Sequence, residues 1–468
     1  MKINRFSIAL AIMVCSLVSA CSRGGTHSFT PSPDGSVIAS IREVVVFIPG
    51  PEPLDISEKK YLRIQRILPS TESSLTEMLI TDERGEHFFL HHGGLTWSPN
   101  GRSVAFTTGN VAIDYAKRRP CRLWIVGISA KPKKALIAEN VHSFRWADGA
   151  HLVYVTEAGE VYRATISDDG AVLELKTLFS AGNLDGAYDY AYLLPQYEFN
   201  NPLSPHADYF VYGNGRNLII VNLSTATIEK SFPLIGVPIK FWWDDAGRDC
   251  VIGVMKKTGE YKCTYHYYLY QREGGTLANL VNQLEDTSRA VSPYAPSGYG
   301  RVWCSDGKHF VLNSGYPYYK TWLFNTASWS AVWMEREIKR IKDETSSQLT
   351  MVPLPLEHRE YDSSRDPLPE LPSVFDANSA SKVVIEPSPR GNLLAVRPHK
   401  SEQLFTKYMC YVLEIAINSK GEMSFAVRKK IEFEGRERFF WIADGGGLLF
   451  VRAKLFVAGD KFRLESIP

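Results

Sequence analysis

Few side chains in this chain have the type and spacing to do chemistry. His91-His92 is an adjacent histidine pair. It has no cysteine, histidine or carboxylate partner at ligand spacing, so it predicts no metal site. Asp168-Asp169 and Asp244-Asp245 are paired acids, and paired carboxylates can run glycoside hydrolysis. Both pairs sit in turn sequence, where a carboxylate accepts backbone N–H groups, and neither follows the calcium-loop pattern. There is no phosphate loop, dinucleotide motif or zinc finger, so no cofactor is implied. Lys117-Arg118-Arg119 is the short run of like charge. Arg118 and Arg119 have the guanidinium geometry for a carboxylate or phosphate.

Of the seven cysteines Cys15 lies in the leader, and the other six divide into one special residue and five ordinary ones. Lys2 and Arg5 precede an apolar run from Phe6 to Val18. That run falls short of the roughly 20 residues needed to span a bilayer, so residues 1–20 read as an export signal. Val18-Ser19-Ala20-Cys21 then resembles a bacterial lipobox. The resemblance implies lipidation of Cys21, a tether over residues 21–26, and anchoring to a bacterial membrane, the outer one where there are two. Cys121, Cys250, Cys263, Cys304 and Cys410 remain, an odd and scattered set that is no disulfide framework. A hairpin turning at Thr258-Gly259 sets Cys250 opposite Tyr267 and Cys263 opposite Val254. These thiols are therefore expected to be free and buried.

Composition excludes one class of partner. Removing Lys2 and Arg5 with the signal leaves 51 basic against 51 acidic residues. A chain so balanced has no electrostatic footprint for nucleic acid. Apolar residues make up 44% and aromatic residues 12%, enough for a large core of strands.

What must position these groups is a repeat. Phe29-Thr30-Pro31-Ser32-Pro33-Asp34-Gly35 runs into Ser36-Val37-Ile38-Ala39, and Leu95-Thr96-Trp97-Ser98-Pro99-Asn100-Gly101 into Arg102-Ser103-Val104-Ala105-Phe106. Weaker copies follow at Phe144–Gly149, Leu203–Asp208, Phe241–Gly247, Val302–Gly307, Glu386–Gly391 and Phe440–Gly445. In the clearest copies proline presets φ, Asp or Asn caps the turn, and glycine takes the positive φ; the copy at Leu203–Asp208 has lost the glycine. Each interval reads as four strands, A to D, so the expected fold is an all-β propeller of eight four-stranded blades, with seven as the alternative. It spans residues 27–468 as a single domain, with an insertion at about 335–381.

The Trp97–Phe106 string resembles the WD40-like repeats of the TolB β-propeller and of the dipeptidyl-peptidase IV propeller. The peptidases carry their catalytic serine in a hydrolase domain. This chain has no Gly-x-Ser-x-Gly, so the resemblance implies a propeller without that activity. The TolB likeness implies a protein–protein role at the cell envelope.

In four-stranded blades the A–B and C–D turns share one face, and the B–C and D–A segments share the other. Five long segments are expected on that second face: Ser40 to about Thr76, 109–120, 181–200, 285–300 and 335–381. They carry Tyr188, Tyr190, Tyr192, Tyr197, Tyr294 and Tyr299, with Tyr316, Tyr318 and Tyr319 in a further B–C loop and Arg118 and Arg119 nearby. Tyrosine offers contact area with a polar tip, which makes this the candidate binding face. Met334, Ile338 and Ile341 at i, i+4, i+7 predict a short amphipathic helix opening the insertion. The expected function is that of an envelope-anchored lipoprotein that binds a protein or peptide, with no nucleic acid and no membrane contact beyond the lipid. Two alternatives stay open: a glycan- or ester-cleaving propeller with acids or histidines at its channel, and a carbohydrate-binding sensor.

Overall fold

Turn chemistry every few tens of residues and apolar runs between the turns yield antiparallel strands throughout. The computed structural model describes residues 23–48, 55–66, 74–79, 95–108, 122–128, 133–181, 201–214, 217–257, 263–281, 302–313, 321–327, 329–334, 348–350, 354–355, 383–389, 391–398, 407–417, 423–434, 437–441, 445–452 and 461–467. All its strand pairings are antiparallel, and neighbouring strands in a sheet are nearly always neighbours in sequence.

Consecutive sheets stack face to face. Ala39, Ile41, Leu62 and Ile64 of the first sheet meet Leu95, Trp97 and Val104 of the second. The same relation recurs from second to third, and so on to the last. This sandwiching sets the burial of each strand. Ser103–Thr108, with a sheet on both faces, is buried at every residue. The outermost strand of the third sheet, Val172–Ser180, is exposed along most of its length. Inner strands therefore read as continuous apolar runs, and outer strands do not.

The expectation of eight equal four-stranded blades, or seven, is overturned. Six sheets are full blades of four strands or more, and two stop at three strands. The full blades comprise residues 23–79, 95–138, 141–180, 237–281, a blade from His309–Asn313 to Leu354–Pro355, and a five-stranded blade around 383–434. In the three-stranded sheet of Tyr209–Pro233, the expected first strand shrinks to one bridge, Leu203 with Phe210. Pro202 precedes it and has no N–H to give a ladder. In the last sheet, Lys461–Ser466 pairs directly with Gly447–Arg452. A further strand expected from the apolar run Leu455–Val457 lies outside the described residues.

The insertion is built into the sheets at two points. Leu354–Pro355 pairs with Ser330–Trp333 as the fourth strand of its blade. Gln348–Thr350 pairs with Met423–Glu434 as the fifth strand of the next. Met334 is fully buried between these two blades. Ile338 and Ile341 lie outside the described residues. A second correction concerns Ser40 to Thr76. It is no loop: Val37–Ile48, Asp55–Arg66 and Ser74–Leu79 are three strands of the first blade.

Candidate functional site

The turns come first, because they close one face of the fold. In the clearest copies the first turn residue is serine. Ser32 Oγ donates to Asp34 Oδ1 (2.5 Å) and accepts from the Val37 N–H (3.0 Å). Ser98 does the same with Asn100 and the Ser103 N–H. Gly35 and Gly101 take φ of 69° and 70°. Hydrogen bonds from Ser32 and Ser36 hold the Asp34 carboxyl below its ordinary range. Ala207 accepts the same left-handed φ (50°) where the fourth copy has lost its glycine, and Ser204 still bonds to Asp208 (2.6 Å).

Among the described turns, two have no side-chain acceptor of this kind at that position: Trp146 in the third copy and Cys304 in the sixth. There the aspartate before the glycine takes over. Asp148 Oδ1 accepts the N–H groups of Ala150 (2.7 Å) and His151 (2.8 Å), and His151 Nδ1 lies 2.7 Å from Oδ2. Asp306 accepts from Lys308 and His309, with His309 Nδ1 at 2.5 Å. Burial raises the Asp306 pKa, but the bonds from His309 and Lys308 outweigh it and leave the carboxyl below its usual range. An Asp-Gly-x-His sequence thus replaces the serine latch. The spacing stands in the sequence at 148–151 and 306–309, but it was read there only as turn. His309 is 1% exposed at its side chain, so this pair braces a turn and meets no solvent-borne substrate.

Neighbouring turns are also tied to each other. Asn100 Nδ2 donates to the Gly149 carbonyl (2.7 Å), and Arg102 pairs with Asp168. Arg272 donates to Asp208 (3.2 Å) and lies 4.1 Å over the Tyr209 ring. Ser305 Oγ donates to the Gly391 carbonyl (2.8 Å). Gly127 has to be glycine: a Cβ would sit 2.4 Å from the Asp169 backbone of the next blade. The two acid pairs therefore serve structure. Asp168 ties two blades, Asp169 and Ser167 brace their turn, and Asp244 accepts the Arg248 and Asp249 N–H groups (2.6 and 2.9 Å).

A second set of bonds runs around the inner strands. The Nε1–H groups of Trp97, Trp303 and Trp441 donate to the carbonyls of Thr30, Trp242 and Glu386 in the preceding sheet (2.9, 2.8 and 2.9 Å). Each tryptophan stands four residues before its turn glycine or its equivalent, and each acceptor five before its own. Between the third and fourth sheets Asn201 does this work, through Nδ2 to the Phe144 carbonyl (2.7 Å). Its own N–H reaches Phe241 on the other side (3.0 Å).

Four buried or part-buried ionisable groups lie among these strands. Burial lowers the Lys240 pKa to about 7 and the His266 pKa to about 4, with Lys256 adding to the latter. Burial raises Glu386 to about 7, against the pull of Arg397. Asp249 is raised to about 6 by burial and by Asp244. Among the described residues no group of three or more His, Cys, Asp or Glu is placed to hold a metal ion.

The residues read from the sequence as a binding face lie outside the described residues: Tyr188, Tyr190, Tyr192, Tyr197, Tyr294, Tyr299, Tyr316, Tyr318, Tyr319, Arg118 and Arg119, as does Cys21. The strand ends that flank them are described. Across the full blades the A–B connections are short throughout. The long ones are 80–94, 109–121, 282–301 and 356–382, with 182–200 leading into the three-stranded sheet. Four of these leave from the strand ends opposite the A–B turns; 356–382 leaves from Pro355, which lies opposite Ser330 at the C–D turn, and so begins on the A–B side. Cys250, Cys304 and Cys410 are free and buried. Cys250 pairs in register with Tyr270, and Cys263 with Lys257, so the expected hairpin register was three residues out. Cys121 lies outside the described residues.

No protein-family model matches the chain, and no curated protein matches it. Solved structures similar to it include Sqt1 from Chaetomium thermophilum, at 10% identity over 95% of this chain and 96% of that one, with a TM-score of 0.46. TolB from Acinetobacter baumannii is 13% identical over 80% of this chain and 78% of its own, with a TM-score of 0.31. The tricorn protease is 13% identical over 94% of this chain and 44% of its own, at 0.39. The fold assignment rests on the strand pairing above.

Proposed function

We propose that the protein is an exported lipoprotein, held to a bacterial membrane through Cys21, that binds a protein or peptide on the face opposite its A–B turns. One observation carries this reading. The A–B turns and the C–D turns beside them spend their polar groups on one another, through Asn100, Arg102, Ser305 and Arg272. Four of the five long connecting segments, 80–94, 109–121, 182–200 and 282–301, leave from the other strand ends. A rigid scaffold with its variable sequence gathered at one rim is the usual arrangement of a binding protein. The tyrosines of those segments suit a partner's apolar and polar groups together.

The test is site-specific photocrosslinking in cells that make the full chain. A photoreactive residue at Tyr190 or Tyr318 is expected to capture a discrete protein adduct. One at Glu273, in an exposed C–D turn of the opposite face, is expected to capture none. Equal or stronger capture from Glu273 overturns the assignment of faces. Separately, Cys21→Ser is expected to move the protein from the membrane pellet to the soluble fraction. Retention in the pellet overturns the lipid anchor.

A further inference from the structure

The outer strand of the third sheet, Val172–Ser180, is an open edge. Leu173 is 68% and Leu175 51% exposed. Its backbone is oriented to accept another strand. The Ile166 N–H donates to the Ala150 carbonyl (2.7 Å), so Ile166, and by alternation Ala164, turn their backbone groups inward to the preceding strand. Leu175 lies opposite Ala164 and therefore aims its N–H and C=O away from the sheet. Thr177, two residues on, does likewise. Irregularities in the pairing near Leu173 and Leu178 bound a regular stretch centred close to Leu175.

We propose that this edge is where two copies of the chain associate, by antiparallel pairing across a two-fold axis at Leu175. Charge selects the occupant and the register. With Leu175 opposite its own copy, Glu174 of each chain faces Lys176 of the other, which makes two opposite-charge cross-strand pairs. Sliding one step to the next register that satisfies the same outward backbone groups sets Glu174 against Glu174, or Lys176 against Lys176, which is unfavourable. Within its own sheet Lys176 lies opposite Arg163, a like-charge neighbour that a facing Glu174 from the second copy offsets. The exposed Leu175 of the two chains falls on one side of the joined ribbon. An exposed edge bearing leucines is otherwise a liability.

Sedimentation velocity of the mature chain is expected to show a dimer. Glu174→Lys and Lys176→Glu, each on the solvent-exposed edge, are expected to weaken the dimer by about tenfold. The double variant carrying both changes restores the opposite-charge pairs and is expected to recover it. Leu175→Cys is expected to form an intermolecular disulfide under mild oxidation, and Thr177→Cys, opposite Leu173, is not. A wild type that stays monomeric overturns the proposal. So does a dimer that both single charge reversals leave unchanged, or a double variant no tighter than either single one.

Discussion

Trp303→Ala is expected to lower the free energy of unfolding by about 3 to 5 kcal/mol, the cost of removing a fully buried large aromatic. The Trp303 side chain is 1% exposed. Its ring centre lies 4.9 Å from that of Phe310, which stacks in turn on Phe324 at 4.9 Å. It packs between two blades, among Trp242, Val251 and Leu269 on one side and Val302, Phe310 and Leu312 on the other. The same ring donates the hydrogen bond that ties the inner strands of those blades. Trp303→Phe separates the two contributions. It keeps most of the apolar contact and leaves the Trp242 carbonyl without that donor, at a cost of about 1 to 2 kcal/mol. Leu464→Ala is the control: Leu464 is 54% exposed, and its replacement is expected to stay within about 0.5 kcal/mol. Urea denaturation of the three variants measures all of this. A Trp303→Ala protein within about 1 kcal/mol of wild type contradicts a structural role for the inner-strand bonds.

What the sequence disclosed, and what it hid, follows from the range of the interactions involved. Ser32-Pro33-Asp34-Gly35 and Ser98-Pro99-Asn100-Gly101 name their own geometry, because the groups that fix such a turn lie within five residues of each other. Strand runs such as Val104–Phe106, directly after the turn, were legible for the same reason. The blade count was not. Whether Leu203 or Leu354-Pro355 counts as a strand depends on which edge it meets, and two or three residues carry no period of their own. The register of Cys250 and Cys263 failed by three residues because it rested on an assumed turn. The Asp-Gly-x-His brace left a visible spacing, but its meaning lay in the absence of serine at the positions of Trp146 and Cys304. The tyrosine segments rest on the length of the B–C and D–A connections and on their tyrosine content. Their flanking strand ends agree with a shared rim, while the first of the expected insertions turned out to be sheet.

The second large effect is a pair of opposite pH dependences. Lys240 has a folded pKa of about 7 against an ordinary value of 10.5, lowered by burial. The unfolded chain therefore binds the extra proton between these values, and stability rises with pH across that window. Below pH 7 both states are protonated and the full penalty applies. At 1.36 kcal/mol for each unit of difference, the penalty is about 3 to 5 kcal/mol. Lys240→Met is accordingly expected to be more stable than wild type at pH 6 to 7, with the advantage shrinking as the pH approaches 10.5. Glu386 runs the other way. Its folded pKa of about 7 lies above the ordinary 4.5 because burial outweighs the attraction of Arg397. The folded state keeps its proton longer, so stability is complete below pH 4.5 and is lost as the pH rises through 7. Glu386→Gln is expected to match wild type near pH 4 and to exceed it by about 2 kcal/mol above pH 7, a figure reduced for the part of this side chain that solvent still reaches. The Glu386 backbone carbonyl that accepts from Trp441 is untouched by that change. Denaturation of both variants across pH 4 to 10, each taken as a difference from wild type, isolates these two groups from the tyrosines and lysines that titrate beside them. Differences that do not vary with pH, or that vary with the signs exchanged, would show that these side chains reach water in the folded protein and that the inner strands are not sealed.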